Sequence, residues 1–263
     1  MNRVLLTILF ALVLALPAYA DVTIKQTNTG KGMGVSGTTA SASYIKGNKM
    51  RMDTVQGDKT ISMIFDIDAQ KMYMFESKKK DAEVWDMGSF AHEIGTSVDT
   101  ANMKVSLKPN GQTKEIAGKT ATGYDMDISI PATMGGNKEM TLVVSLTGPT
   151  WIVKGAPGTA DFLRFYKAAA DKGWVFSDPR VAKASPGPAR AMAEMYRQLA
   201  EAGGIPYETQ MDIKMGGGSG PLAGILAKMG NMSTSSMVES IDTAPLPDDL
   251  FAVPAGYKVN TKK

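Results

Sequence analysis

The sequence contains no cysteine and a single histidine, His92. Without cysteine there is no disulfide and no thiol to carry the lipid of a bacterial lipoprotein, so stability must come from an ordinary buried core. One histidine leaves little for zinc, whose catalytic sites need three protein ligands. It also leaves little choice of general base, and no Gly-x-Ser-x-Gly elbow accompanies it. His92 reads as an exposed loop residue. Aromatics make up 7% of the chain and the formal charge is only +3. The one basic cluster, Lys78-Lys79-Lys80, reads as a solvated turn. No stripe of Arg and Lys interleaved with aromatics appears, which argues against a nucleic-acid partner.

Long hydrophobic runs are also missing, apart from Val4 to Leu16. That run is too short to span a bilayer comfortably and nothing like a second span follows. Asn2-Arg3 precede it, and Ala18-Tyr19-Ala20 closes it as a small-x-small cleavage site. Residues 1–20 are therefore expected to be a secretory signal peptide. The mature chain would begin at Asp21, periplasmic, not lipidated and without a transmembrane segment.

What the chain does have is short strands and methionine, 19 in all. Asp21–Asn28, Ser41–Ile45, Met50–Gln56, Thr60–Asp66, Met72–Glu76 and Glu83–Met87 alternate apolar and polar residues between tight turns. Such spacing predicts an antiparallel meander with one dry and one wet face. Met103–Lys108, Lys119–Ile130 and Lys138–Leu146 continue it, with a turn at Pro109–Gln112. Phe90–Asp99 is ambiguous. Gly32, Gly34 and Gly37 fit a GxGxxG spacing, but no helix follows to seat a pyrophosphate, so a flexible connection explains them better.

The period then changes. Gly158–Gly173 reads as a helix with Thr159 as N-cap and Phe162, Phe165, Tyr166 and Ala169 on its apolar face. Pro188–Ala202 reads as a second, with Met192, Met195, Tyr196 and Leu199 at the 3,4 spacing. Ser177–Gly187 is a loop between them. Strands resume at Tyr207–Met215 and Met232–Asp242, separated by a glycine-rich loop at 216–220 and a short apolar helix or flap at 221–229. The tail around Tyr257 and Val259 is placed to dock. The expected fold is α+β: one domain over 21–263, a large curved antiparallel sheet forming a half-barrel. A helical insertion at about 158–203 supplies two amphipathic helices for its concave face.

Tyr44-Ile45-Lys46-Gly47-Asn48-Lys49-Met50-Arg51-Met52-Asp53 resembles the strand-turn-strand start of periplasmic half-barrel proteins of the lipoprotein-carrier (LolA/LolB-like) type. Ile64-Phe65-Asp66-Ile67-Asp68 running into Met72-Tyr73, and the closing Leu250 to Tyr257, are similar to a branch of that group known as a domain of unknown function. The resemblance implies a helical lid over an apolar cavity and an acyl or other hydrophobic ligand. The chain departs from the carriers in offering methionine where their lining is rich in aromatics.

Three readings of the methionines follow. They fill core gaps, they line an adaptable cavity, or they bind a soft metal such as Cu(I) through exposed, converging pairs like Met50/Met52 and Met72/Met74. Asp66/Asp68 and Asp125/Asp127 each share a strand face and read as solvated polar positions. The function expected is a soluble periplasmic carrier of a lipid-like ligand, with no catalysis and no cofactor. Its candidate ligand-binding residues are Met52, Met63, Phe65, Met126, Met140, Phe165, Met195, Tyr196, Leu199 and Met211. The alternatives are an envelope interaction protein with a filled core and an envelope protein partner, and methionine-based copper handling.

Overall fold

The computed structural model describes residues 20–32, 35–97, 102–133, 141–184, 186–216 and 231–262. The segment up to residue 19, where a signal peptide is expected, together with Gly34, Met140, the loop beyond Gly216 and the stretch 221–229, lies outside them. In chain order the elements are β1 (Val22–Gly32), β2 (Val35–Lys46), β3 (Lys49–Gln56), β4 (Lys59–Asp66), β5 (Lys71–Glu76), β6 (Asp81–Asp86) and helix α1 (Met87–Ser97). Next come β7 (Lys104–Ile116), β8 (Lys119–Thr133), β9 (Thr141–Val153), α2 (Thr159–Asp171), α3 (Pro179–Ala184) and α4 (Pro186–Ala202). The chain closes with β10 (Ile205–Gly216), β11 (Met232–Asp242), a 3-10 turn (Asp248–Phe251) and β12 (Lys258–Lys262). All strands join one 12-stranded sheet in the order β12-β6-β5-β4-β3-β2-β1-β11-β10-β9-β8-β7. No described helix is long and apolar enough to cross a membrane.

The sheet is curved with helices on one face, as expected, but several local expectations change. The glycine connection at 29–37 is the end of a β1–β2 hairpin, with Gly30 opposite Gly37 and Gly32 opposite Val35. No helix opens there, so the glycine spacing has no phosphate seat. Pro109–Gln112 does not end a strand: β7 runs through it, with a register shift between Pro109 and Thr113. Asn110 holds this bulge, accepting from the Gln112 amide at 3.0 Å and donating to Asp125 at 2.9 Å. Of the stretch Phe90–Asp99, residues 90–97 belong to α1 and the last two lie outside the described residues; α1 begins where the Asp86 carboxylate accepts the Ser89 amide at 2.7 Å. That is the N-cap pattern, and the same bond holds the Asp86 carboxyl below its ordinary value.

The loop expected at 177–187 contains α3, started by Asp178 accepting the Arg180 amide at 2.9 Å ahead of Pro179. At α2 the cap is Gly158 at φ 75 rather than Thr159, whose hydroxyl donates to the Ala156 carbonyl at 2.7 Å. A Cβ on Gly158 would lie 2.6 Å from Val22 Cγ2, so glycine lets the helix start meet β1 closely. Gly173, at φ 69, ends the helix, and the Trp174 amide returns to the Ala169 carbonyl at 3.0 Å.

Two expectations about the sheet as a whole are corrected. β12 pairs parallel with β6, so the sheet is mixed. The convex face is also not wet throughout. Across β4–β6 the convex side carries Ile64, Phe75 and Ala82, which form a buried cluster with Phe251. Leu246, Leu250, Val253 and Tyr257 of the tail pack on it. Arg51 clamps the tail by donating to the Leu250 carbonyl at 3.1 Å, and the Tyr257 ring meets Phe75 at 5.6 Å. Strands apolar at both parities need a cover on both faces, and the returning tail is that cover.

Candidate functional site

The concave face is built in rows. Strand register places Met50, Phe65, Met72 and Trp85 side by side across β3–β6. All four are buried. One pleat further along stand Met52, Met63, Met74 and Glu83. This second row borders a hollow of about 370 Å³, lined by Thr54, Ile61, Met63, Met74 and Glu83 with Asp178 and Arg180 at its rim. Arg180 pairs with Asp178 at 2.8 Å, approaches Glu83 at 3.5 Å and donates to the Met74 sulfur at 3.7 Å.

The helices meet this sheet through an aromatic hub. Phe162, Phe165 and Tyr166 come from α2, Phe176 from the segment after it, and Tyr196 from α4. Phe176 lies 5.1 Å from Phe65, 5.7 Å from Phe165, 5.1 Å from Tyr166 and 4.9 Å from Tyr196, mostly edge to face. Burial pushes both tyrosine hydroxyls up, that of Tyr196 to about 12, and the neighbouring Tyr196 adds to the rise at Tyr166.

At the other end of the curve Met126, Ile128, Ile130 and Leu146 of β8 and β9 form a separate cluster with Ala191 and Met195 of α4. Met192, Leu199, Met211 and Ile213 are half-buried against it. Gln198 ties α4 to the edge strand, its amide donating to Val105 O at 3.1 Å and accepting from Leu107 N at 2.8 Å. A small apolar hollow of about 190 Å³ lies between Val175–Ala182 and Pro188–Tyr196. Between the two clusters, on β2, β1, β11 and β10, a third hollow of about 450 Å³ is lined by Asn28, Thr39, Thr209, Met211, Thr234 and Ser236.

The ten candidate residues fall into three situations. Phe65, Phe165, Met126 and Met195 are buried in close packing, split between the two clusters. Met63, Met211 and Tyr196 each line a different hollow, while Met52 and Leu199 are half-buried beside them. Met140 lies outside the described residues. Met50, Met72 and Met74 are 0%, 0% and 9% exposed, so the exposed, converging pairs that copper handling required are not present at these positions. Among the described residues no group of three or more His, Asp or Glu side chains is placed to hold a metal.

His92 is exposed, on α1 rather than a loop, beside a hollow of about 540 Å³ shared with Gln70, Trp174 and Arg190. The paired carboxylates have local partners. Asp66 binds Lys49 at 3.0 Å, Asp68 accepts from Asn48 at 2.9 Å, Asp125 accepts from Asn110, and Asp127 meets Lys104. Phe176 and the polar residues of the third hollow were not anticipated. Phe176 sits outside any periodic segment, and Asn28, Thr39 and Thr234 look like ordinary polar strand positions until register sets them side by side.

No family profile and no curated protein matches the chain. Among solved structures it is similar to PNGF-II at 11% identity and a TM-score of 0.39, over 92% of this chain and 31% of that one. The chain therefore spans about a third of that protein's length. It is similar to the Mycobacterium tuberculosis lipoprotein LppX at 9% identity and a TM-score of 0.34, over 86% of this chain and 88% of that one. It is also similar to a LolA superfamily protein from Nitrosomonas europaea at 6% identity and a TM-score of 0.30, over 89% and 91% of the two chains.

Proposed function

We propose that this chain is an exported carrier that holds a hydrophobic, lipid-like ligand on the concave face of its sheet and performs no chemistry on it. The observation that carries this reading is the pair of half-buried apolar surfaces, Met52–Met63 and Met192–Leu199–Met211–Ile213, beside two hollows on the sheet and a third among the helices above it. Packed core would bury these side chains as it buries Met50 and Phe65. Methionine and leucine left half-covered are suited to a mobile apolar guest, which gains about 0.8 kcal/mol for each CH₂ it buries. The likeness to a LolA superfamily protein and to a lipoprotein agrees with the reading. A periplasmic location, following from the export signal expected before Asp21, is part of the same proposal.

The test is to purify the exported protein, record its mass under native conditions and extract what is bound. A copurifying hydrophobe is expected, and the Met192→Ala/Leu199→Ala double variant, folded by circular dichroism, is expected to lose it. A bare mass together with no binding of an uncharged, environment-sensitive acyl probe would overturn the proposal. A second reading, an envelope interaction module, draws support from the closed packing of Phe65, Phe165 and Phe176. It predicts that outcome together with a protein partner.

A further inference from the structure

The two apolar regions of the concave face are separated by a polar belt that carries no charge. From β1 the concave positions Gln26, Asn28 and Gly30 stand opposite Ser41, Thr39 and Gly37 of β2. On the other side Gln26, Asn28 and Gly30 stand opposite Val238, Ser236 and Thr234 of β11, and Ser236 and Thr234 face Thr209 and Met211 of β10. Strand alternation sends the charged residues flanking the belt, among them Lys25, Lys31, Asp212 and Lys214, to the convex face. Gly30 opposite Gly37 leaves the floor without side chains at that point, which deepens the 450 Å³ hollow.

The belt has hydrogen-bonding capacity to spare. The Asn28 amide accepts from Gln26 at 3.1 Å and donates to Ser41 at 2.8 Å. An amide has two donor hydrogens and two acceptor lone pairs, so one of each remains. The hydroxyls of Thr39, Thr234 and Ser236 both donate and accept. A phosphate or carboxylate brought here would lose hydration with no cation to meet it, whereas an ester, amide or sugar hydroxyl would find partners of both kinds.

We infer that the ligand is a neutral amphiphile whose polar part is uncharged, and that Asn28, Thr39, Thr209, Thr234 and Ser236 receive that part while its chains run to the methionine surfaces on either side. This rests on the carrier reading and narrows its ligand class.

Three lipids with the same acyl chains separate the possibilities: monogalactosyl dioleoylglycerol, dioleoylglycerol and dioleoylphosphatidylglycerol, with hexadecane as a chain-only control. Binding is read by displacement of a pyrene-labelled diacylglycerol, an uncharged reporter, from the full exported protein. The galactosyl lipid is expected to bind about tenfold or more tighter than the phosphatidylglycerol, as the loss of one or two hydrogen bonds would give. Asn28→Leu and the isosteric Thr234→Val should each weaken the galactosyl lipid about three- to tenfold and leave hexadecane unchanged. Phosphatidylglycerol bound equally or more tightly, or variants that weaken hexadecane as much, would overturn the inference and leave the carrier reading standing. Failure of all four probes to bind would remove the carrier reading itself. Thermal melting of both variants separates a lost contact from a lost fold.

Discussion

Phe176 is the residue on which the helices and the sheet converge. It belongs to no helix or strand, yet its ring touches Phe65 from β4, Phe165 and Tyr166 from α2 and Tyr196 from α4. Truncation to alanine would leave a void bounded by four rigid rings with little freedom to collapse. Phe176→Ala is therefore expected to cost about 3–5 kcal/mol in urea unfolding, at the upper end for a core aromatic. The same hub gives a pH dependence. Burial raises the Tyr196 hydroxyl to about 12, while an unfolded tyrosine ionises near 10. The folded state thus favours the protonated phenol. Its stability contribution is whole below pH 10 and is lost as pH rises from there through 12. Absorbance at 295 nm should show tyrosine ionisation delayed relative to unfolded protein, and Tyr196→Phe should reduce the delayed fraction. At low pH the sign is opposite for Asp66. Partial burial pushes its carboxyl up, but the Ala69 amide at 2.9 Å and Lys49 at 3.0 Å pull it below its ordinary value. That contribution is lost as pH falls through the lowered value, and Asp66→Asn should flatten the acid limb of the stability curve.

Among the elements, the C-terminal tail does more than end the chain. The segment from Leu246 to Tyr257, with its 3-10 turn, covers the convex side of β4–β6, where Ile64, Phe75 and Ala82 would otherwise face water, and β12 then pairs along the edge of β6. Ending the chain after Ala244 should expose this patch. The expected readout is increased binding of a hydrophobic dye and a lowered melting temperature, while the concave face keeps its apolar rows. No change in dye binding would show that the tail is not a cover. Helix α4 has a comparable role at the opposite edge. Its Gln198 side chain bonds Val105 O and Leu107 N as a neighbouring strand would, which blunts one repeat of the free edge of β7. Gln198→Leu leaves those two backbone groups without this partner, so faster amide exchange at Leu107 is expected.

For the molecule as a whole, charge is distributed by face. From β3 round to β8 the concave rows carry Met, Ile, Thr, Ser, Asn and Gln, and the ion pairs Arg51–Asp53 and Lys104–Asp127 sit on the convex side. Charged concave positions appear on β5 and β6, at Glu76, Asp81 and Glu83. Ligand uptake driven by apolar burial and neutral hydrogen bonds should therefore vary little with ionic strength. Affinities measured at about 0.05 M and 0.5 M salt are expected to agree within about threefold, since screening acts on charges and the belt has none. A steep fall with salt would mean that the ligand is held by charges at the β5–β6 end.

Alternation in the sequence was enough to place most of the antiparallel strands, because a half-buried sheet demands a period of two, but not to show that β7 runs on through Pro109–Gln112. It was enough for α2 and α4 as well, because their apolar stripes recur every three or four residues. Local signals for α1 and α3 were present in Asp86 and in Asp178-Pro179, but they are short and easily passed over. Periodicity also told which methionines share a face. It could not tell which of them would be sealed: Met50 and Met52 alternate alike, yet Met50 is fully buried and Met52 only half-buried. The same holds for the convex side, where the apolar parity of Ile64, Tyr73 and Phe75 was legible but the tail that covers it arrives from far along the chain. The polar belt was decided by tertiary structure alone. Asn28, Thr39, Thr209 and Thr234 come from four strands, and only the register of β2-β1-β11-β10 brings them to one hollow.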